Sequence, residues 1–142
     1  MGLRRRQDWP ERLLEAINAK ADTRFSPGIH DCCISACDIV LHMTGVDVAA
    51  KVRGYKGKEE MRAVLNEHGG VEATVESAMK ENSCGEILVS LAGRGDFVLL
   101  DMADGPTLAV VDTDGINAIA CGTKGWERVN IKAHAKRAWE VD

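Results

Sequence analysis

Three consecutive polar side chains, His30, Asp31 and Cys32, stand at the head of an apolar run within "SPGIHDCCISACDIVLHMTG", residues 26–45. An imidazole, a carboxylate and a thiol in a row suggest nucleophilic chemistry. A thiol in the first turn of a helix sits where unpaired N–H groups and the helix dipole favour its thiolate. Catalysis then needs a base within hydrogen-bond reach, normally a histidine, to take the proton. His30 is the one histidine close to Cys32 in the sequence. His42 lies more than two turns further along the helix, on the order of 15 Å away. His68 precedes Gly69-Gly70 in a loop, and His134 lies beyond the apolar strands. The candidate catalytic residues are therefore Cys32, His30 and Asp31. The same residues also have a structural reading, in which His30 and Asp31 satisfy backbone groups at the helix start and Cys32 packs as a small hydrophobe.

The elements that must position this triplet follow from caps and periodicity. Asp8, Pro10 and Glu11 open a helix over residues 8–21, with Trp9, Leu13 and Ile17 on one stripe. Pro27 and Gly28 break the chain before the triplet. Asp31 is the expected N-cap of a second helix over 32–43, ended by Gly45. That helix is almost wholly small or apolar, and only Ser35, Asp38 and His42 interrupt it, all on one face. Such a helix belongs in the middle of a domain. Two further helices are expected over 58–67 and 71–82, and "GEILVSLAGRG" is ambiguous. From Gly95 the texture changes to short apolar runs, "DFVLLDM", "TLAVVDT", "INAIACG" and "WERVNI", separated by Gly, Asp and Pro. They read as an antiparallel meander, followed by a short helix and a closing strand or tail. Helices first and strands after give an α+β class. The expected organisation is one domain over 1–142, with a flexible start (1–7), a mainly helical half (8–94) and a sheet half (95–142). The expected core sets Ile34, Cys37, Val40 and Leu41 against Val98, Leu100, Val110 and Ile119.

Composition excludes several classes. The 142 residues carry a net charge of −4, which does not favour non-specific nucleic-acid binding. Arg4, Arg5 and Arg6 form the one basic cluster, read as a solvated end. No stretch of 18 apolar residues predicts a membrane span, and the start lacks a signal-peptide core. Cys32, Cys33, Cys37, Cys84 and Cys121 are odd in number, a poor disulfide framework that points to a reducing compartment. Their spacing, even with His30, does not make a zinc site, so no metal or cofactor is expected. Asp101, Asp104, Asp112 and Asp114 fall at strand ends and turns, where Asp is favoured for its own hydrogen bonding.

The order of an Asp-Cys at the start of a core helix, further helix, and "GDFVLL" opening a meander resembles the NlpC/P60 branch of papain-like cysteine peptidases. A string of matches in order resembles, more closely, small phage tail-associated proteins with an NlpC/P60-like fold. These are Trp9 and Leu13, "GIHDC", "TGVDVAAKVRGYKG", "LNEHGG", "GDFVLLD", "LAVVD" and the terminal "RAW". The resemblance implies a Cys-bearing central helix packed on a C-terminal antiparallel sheet. It places Cys32 on the family nucleophile, Gly95-Asp96 on the strand opener, the family's histidine at about Thr107 and its third polar residue near Ile119. With neither partner present, it implies a pseudoenzyme serving as a structural protein of a phage tail or tail tip, assembled in the host cytoplasm. Its partners would then be other tail proteins. The alternative is a cysteine peptidase or amidase that cleaves peptidoglycan stem peptides with Cys32. In the loop "VRGYKGKEE", Arg53 and Tyr55 are residue types that often anchor interfaces.

Overall fold

The computed structural model describes residues 3–142. The helices are α1 (Trp9–Ala19), α2 (Cys32–Thr44), α3 (Gly57–Glu67), α4 (Val71–Glu81) and the single turn α5 (Ile131–His134). The strands are β1 (Glu86–Ile87), β2 (Phe97–Met102), β3 (Gly105–Val111), β4 (Asn117–Gly122), β5 (Gly125–Asn130) and β6 (Ala135–Trp139). They form one sheet in the order β1-β6-β2-β3-β4-β5, with every neighbouring pair antiparallel. The class is α+β, as the segregation of helical and strand patterns predicts. The ambiguous segment resolves into β1, which pairs with β6, and a 3-10 turn at Val89–Leu91. The sheet therefore begins at Glu86, before the expected boundary at residue 95.

Helix α2 lies against β3 and β4, and α1 packs along α2. Ile34, Ala36, Cys37, Ile39, Val40 and Met43 are buried between them and the sheet. The sheet contributes Phe97, Leu99, Leu108, Val110 and Ile119 to this layer. Val98, Leu100, Ala109, Val111, Ala118 and Ala138 form a second apolar layer on the other face, with Ile131 of α5. This corrects the expected core in two places. Val98 and Leu100 face away from α2, and Phe97 and Leu99 take their place. Leu41, at 37% exposure, lies outside the core. The reason is that Phe97 to Leu100 are all fully buried, so no apolar-polar alternation marks which parity faces the helix.

The basic start is packed at Arg5, while Arg4 and Arg6 stay exposed as expected of a solvated end. Leu3 is buried, and the Arg6 N–H donates to the Met43 carbonyl at 2.9 Å. The Arg5 guanidinium pairs with Asp96 at 2.8 Å, donates to the carbonyls of Arg94 and Val141, and lies 4.2 Å over the Trp9 ring. Composition alone described a solvated end, because every partner of Arg5 except Trp9 is distant in sequence. Met1 and Gly2, the first part of the expected flexible start, lie outside the described residues. On β6, Arg137 binds Glu72 and Glu76 of α4 and Glu86 of β1, tying the helical half to the sheet.

Candidate functional site

Asp31 is the N-cap of α2, in extended backbone, and its Oδ1 accepts from the Ile34 N–H at 2.9 Å. Its Oδ2 accepts from the Gly28 N–H at 2.8 Å and from the Tyr55 hydroxyl. One buried carboxylate thus ties together the preceding loop, the helix start and the segment before α3. Burial, together with the bond to Asp31, pushes the Tyr55 phenol far above its ordinary pKa. Tyr55 and Arg53, flagged in the sequence as interface types, are used internally. Arg53 is held by Asp47 at 2.7 Å and Asp38 at 2.6 Å.

Gly28 has φ +87°, and a Cβ there would collide with the Tyr55 carbonyl oxygen. The close crossing of two chain segments and the left-handed backbone both require glycine. Gly28→Ala is expected to lose more than about 2 kcal/mol of stability, from backbone strain and displacement of the Tyr55 segment. The measurement is a urea unfolding midpoint; an unchanged midpoint contradicts the crossing.

Cys32 occupies the first turn of α2 and is half-buried. Its Sγ lies 3.9 Å from Cys33 Sγ. The Cys33 thiol lowers the Cys32 pKa, against burial and the Asp31 charge, and the Leu108 main chain adds to the lowering. Cys33 is raised by the same contact and by its own burial. Burial also raises Cys37, and it pushes Cys84 and Cys121 to about 11. Of the five thiols, Cys32 is the one held toward thiolate.

His30 does not supply a base in this arrangement. It is fully buried, and neither ring nitrogen has a hydrogen-bond partner. Its ring meets Trp126 of β5 edge-on, with centroids 4.8 Å apart. Burial, and then Lys20, lower its pKa, with Asp38 and Asp31 opposing. The other histidines are engaged elsewhere or exposed: His42 lies 3.3 Å from Glu15, His68 Nδ1 lies 2.9 Å from the Val64 carbonyl, and His134 is exposed. So among the described residues no imidazole is bonded to Cys32.

The strand positions opposite Cys32 carry no base either. Thr107 pairs with Leu100, whose side chain belongs to the layer facing away from α2, and its hydroxyl donates to the Gly105 carbonyl. Leu108 is the β3 residue that faces α2 at this level. On β4 the α2-facing residues are Ile119 and, two positions on, Cys121. Cys121 Sγ approaches the His30 carbonyl at 3.3 Å, and its charge interacts with that of Cys32. Sequence reasoning missed Cys121 as a neighbour of the triplet. Its shared parity with Ile119 was visible, but the strand's position in the sheet was not.

Ser35, Asp38 and His42, the polar face of α2, line an open groove of about 620 Å³ between α1 and α2. Ala16, Ile39 and Trp126 form part of its apolar lining. Among the described residues no three His, Cys, Asp or Glu side chains are arranged to hold a metal ion. None of the described helices is long and apolar enough to cross a membrane.

A comparison with curated proteins finds no match. Among solved structures, seven chains match. One is the crystal structure of the NlpC/p60 domain of the peptidoglycan hydrolase SagA, similar over 92% of this chain and 97% of that one, with a TM-score of 0.58 and 16% identity. At that identity the likeness establishes the fold, which agrees with the NlpC/P60-type architecture expected from the sequence motifs. Residues 4–141 match the family described as a domain of unknown function, DUF6950, and the chain belongs to that family.

Proposed function

We propose that this chain is a structural component of a phage tail or tail tip, built on an NlpC/P60-type domain that has lost its catalysis. One observation carries the reading: among the described residues Cys32 has no imidazole bonded to it, and Leu108 and Cys121 stand where β3 and β4 approach it. A nucleophile without its base loses most of its rate enhancement. The tail role rests on the ordered run of motifs from Trp9 to Trp139 that resembles small tail-associated proteins. On this reading its partners are other tail proteins and its final location is the virion, after assembly in the host cytoplasm.

A second reading, a cysteine peptidase or amidase acting on peptidoglycan stem peptides, is favoured by two facts. The neighbouring Cys33 thiol favours the Cys32 thiolate, and His30, two residues away, has both nitrogens without a partner among the described residues. Incubating purified protein with peptidoglycan separates the two readings. No muropeptide release above that of Cys32→Ala is expected, and Cys32-dependent release establishes the enzyme. The tail role predicts a fixed low copy number in washed virions, and normal assembly of Cys32→Ala particles. Deleting the gene is expected to leave heads intact and tails absent or non-infectious. Absence from washed virions overturns it.

A further inference from the structure

His30 holds the only buried side-chain nitrogens or oxygens that lack a partner among the described residues. A neutral imidazole carries one N–H donor and one lone pair, and burying both unpaired disfavours the closed state. The groups around it do not relieve this. Asp31 is engaged by Gly28, Ile34 and Tyr55, and Asp38 by Arg53. Lys20, at the end of α1, opposes protonation. Trp126 of β5 offers a ring edge-on, and Cys121 of β4 approaches the His30 carbonyl rather than its ring.

The segment carrying His30 is a short turn, closed on itself by the Ile29 N–H to the Ser26 carbonyl and by the Gly28 N–H to Asp31, while the His30 ring itself makes no bond among the described residues. Ser26 and His30 exchange main-chain bonds of 2.8 and 2.7 Å, and the Cys121 thiol lies on the His30 carbonyl. Trp126 is anchored separately, its indole N–H donating to the Ile17 carbonyl at 2.7 Å. Trp126, Lys20 and Ser35 line the α1–α2 groove, with His30 packed against Trp126 and Cys32 two residues beyond.

We propose that His30 and Trp126 form an acid-sensitive latch over the N-terminal end of α2. As pH falls, His30 turns out to solvent and takes up a proton there, the Ser26–His30 turn opens, and the half-buried Cys32 becomes more accessible. The sign follows from linkage. The closed form holds the imidazole below its ordinary pKa, whereas the opened, hydrated imidazole titrates near about 6.5. Above that value both forms are neutral and the latch stays closed. Below it the open form gains, by up to about tenfold per pH unit, until the closed-state imidazole itself titrates.

The test uses the full chain between about pH 7.5 and pH 5, roughly spanning the histidine titration. One readout is labelling by 4,4′-dithiodipyridine, with Cys32 located by peptide mass mapping and its rate normalised at each pH to a free-thiol peptide. The second is Trp126 emission in a Trp9→Phe, Trp139→Phe background. The expected result is faster Cys32 labelling and a red-shifted Trp126 emission as pH falls, with far-UV circular dichroism unchanged. Both changes are expected to vanish in His30→Gln, which is permanently neutral. If the double-Phe background does not fold, labelling of the unaltered chain and of His30→Gln decides alone. If His30→Gln does not fold, Trp126→Phe is used, and its labelling is expected to be faster already at neutral pH. A flat wild-type labelling profile, an identical rise in His30→Gln, or loss of the helical signal over the same range overturns the latch.

Discussion

Asp31→Ala is expected to lower the free energy of unfolding by roughly 3–5 kcal/mol, among the largest effects available outside the apolar core. Three donors lose their acceptor together: the Ile34 N–H, the Gly28 N–H and the Tyr55 hydroxyl. Loss of an N-cap alone is worth about 1 kcal/mol, and each further donor left buried adds about 1–3 kcal/mol. Asp31 is 2% exposed and Tyr55 8%, so water does not readily replace the carboxylate. The measurement is urea denaturation of Asp31→Ala, Tyr55→Phe and the double variant. The double variant is expected to be less destabilised than the sum, because Tyr55→Phe removes one orphaned donor. Additive effects mean that the Tyr55 hydroxyl does not depend on Asp31. The cap also sets the direction of α2 where Cys32 emerges, so Asp31→Ala is expected to even out alkylation rates among Cys32, Cys33 and Cys121.

Arg5→Ala is expected to cost about 3 kcal/mol, although Arg5 lies in what composition describes as a charged tail. Its partner Asp96 is 6% exposed, and without the guanidinium it keeps only main-chain donors, from Gly93 at 2.9 Å and Val141 at 3.0 Å. Breaking a buried pair from one side leaves an uncompensated charge, which weighs more than the attraction lost. Arg5 also donates to the carbonyls of Arg94 and Val141 and stacks on Trp9, so lysine is not an equivalent replacement. Arg4, which is exposed, serves as the control, and Arg4→Ala is expected to stay within about 0.5 kcal/mol of wild type. Chemical denaturation of the two variants makes the comparison. Hydrogen exchange at the Val141 amide, which bonds Asp96, is expected to accelerate in Arg5→Ala only. Equal stability of the two variants contradicts the network.

Local rules predicted the framework well. Asp31 caps α2 and Gly45 ends it in the left-handed conformation, because both signals act within a few residues of the feature they set. The strands follow the apolar runs after Gly95, and their antiparallel pairing follows from short connections. The segment from Gly85 to Gly95 is ambiguous in the sequence because its two-residue strand exists only as an edge to β6, some 50 positions on.

The sequence by itself determined the class, the position of the Cys-bearing helix, its cap, and the polar stripe of Ser35, Asp38 and His42. These are properties of periodicity and short-range hydrogen bonding. Only the tertiary structure decided what surrounds the thiol. Whether β3 presents Thr107 or Leu108 depends on strand parity, which hydropathy does not mark when both faces of a strand are buried. That Cys121 meets the His30 carbonyl, and that Arg5 meets Asp96, depends on pairs 91 residues apart in each case. Such contacts are set by sheet order and register, the joint outcome of burying two apolar layers at once. The same burial left the His30 ring enclosed without a partner among the described residues, which no window of sequence around residue 30 records.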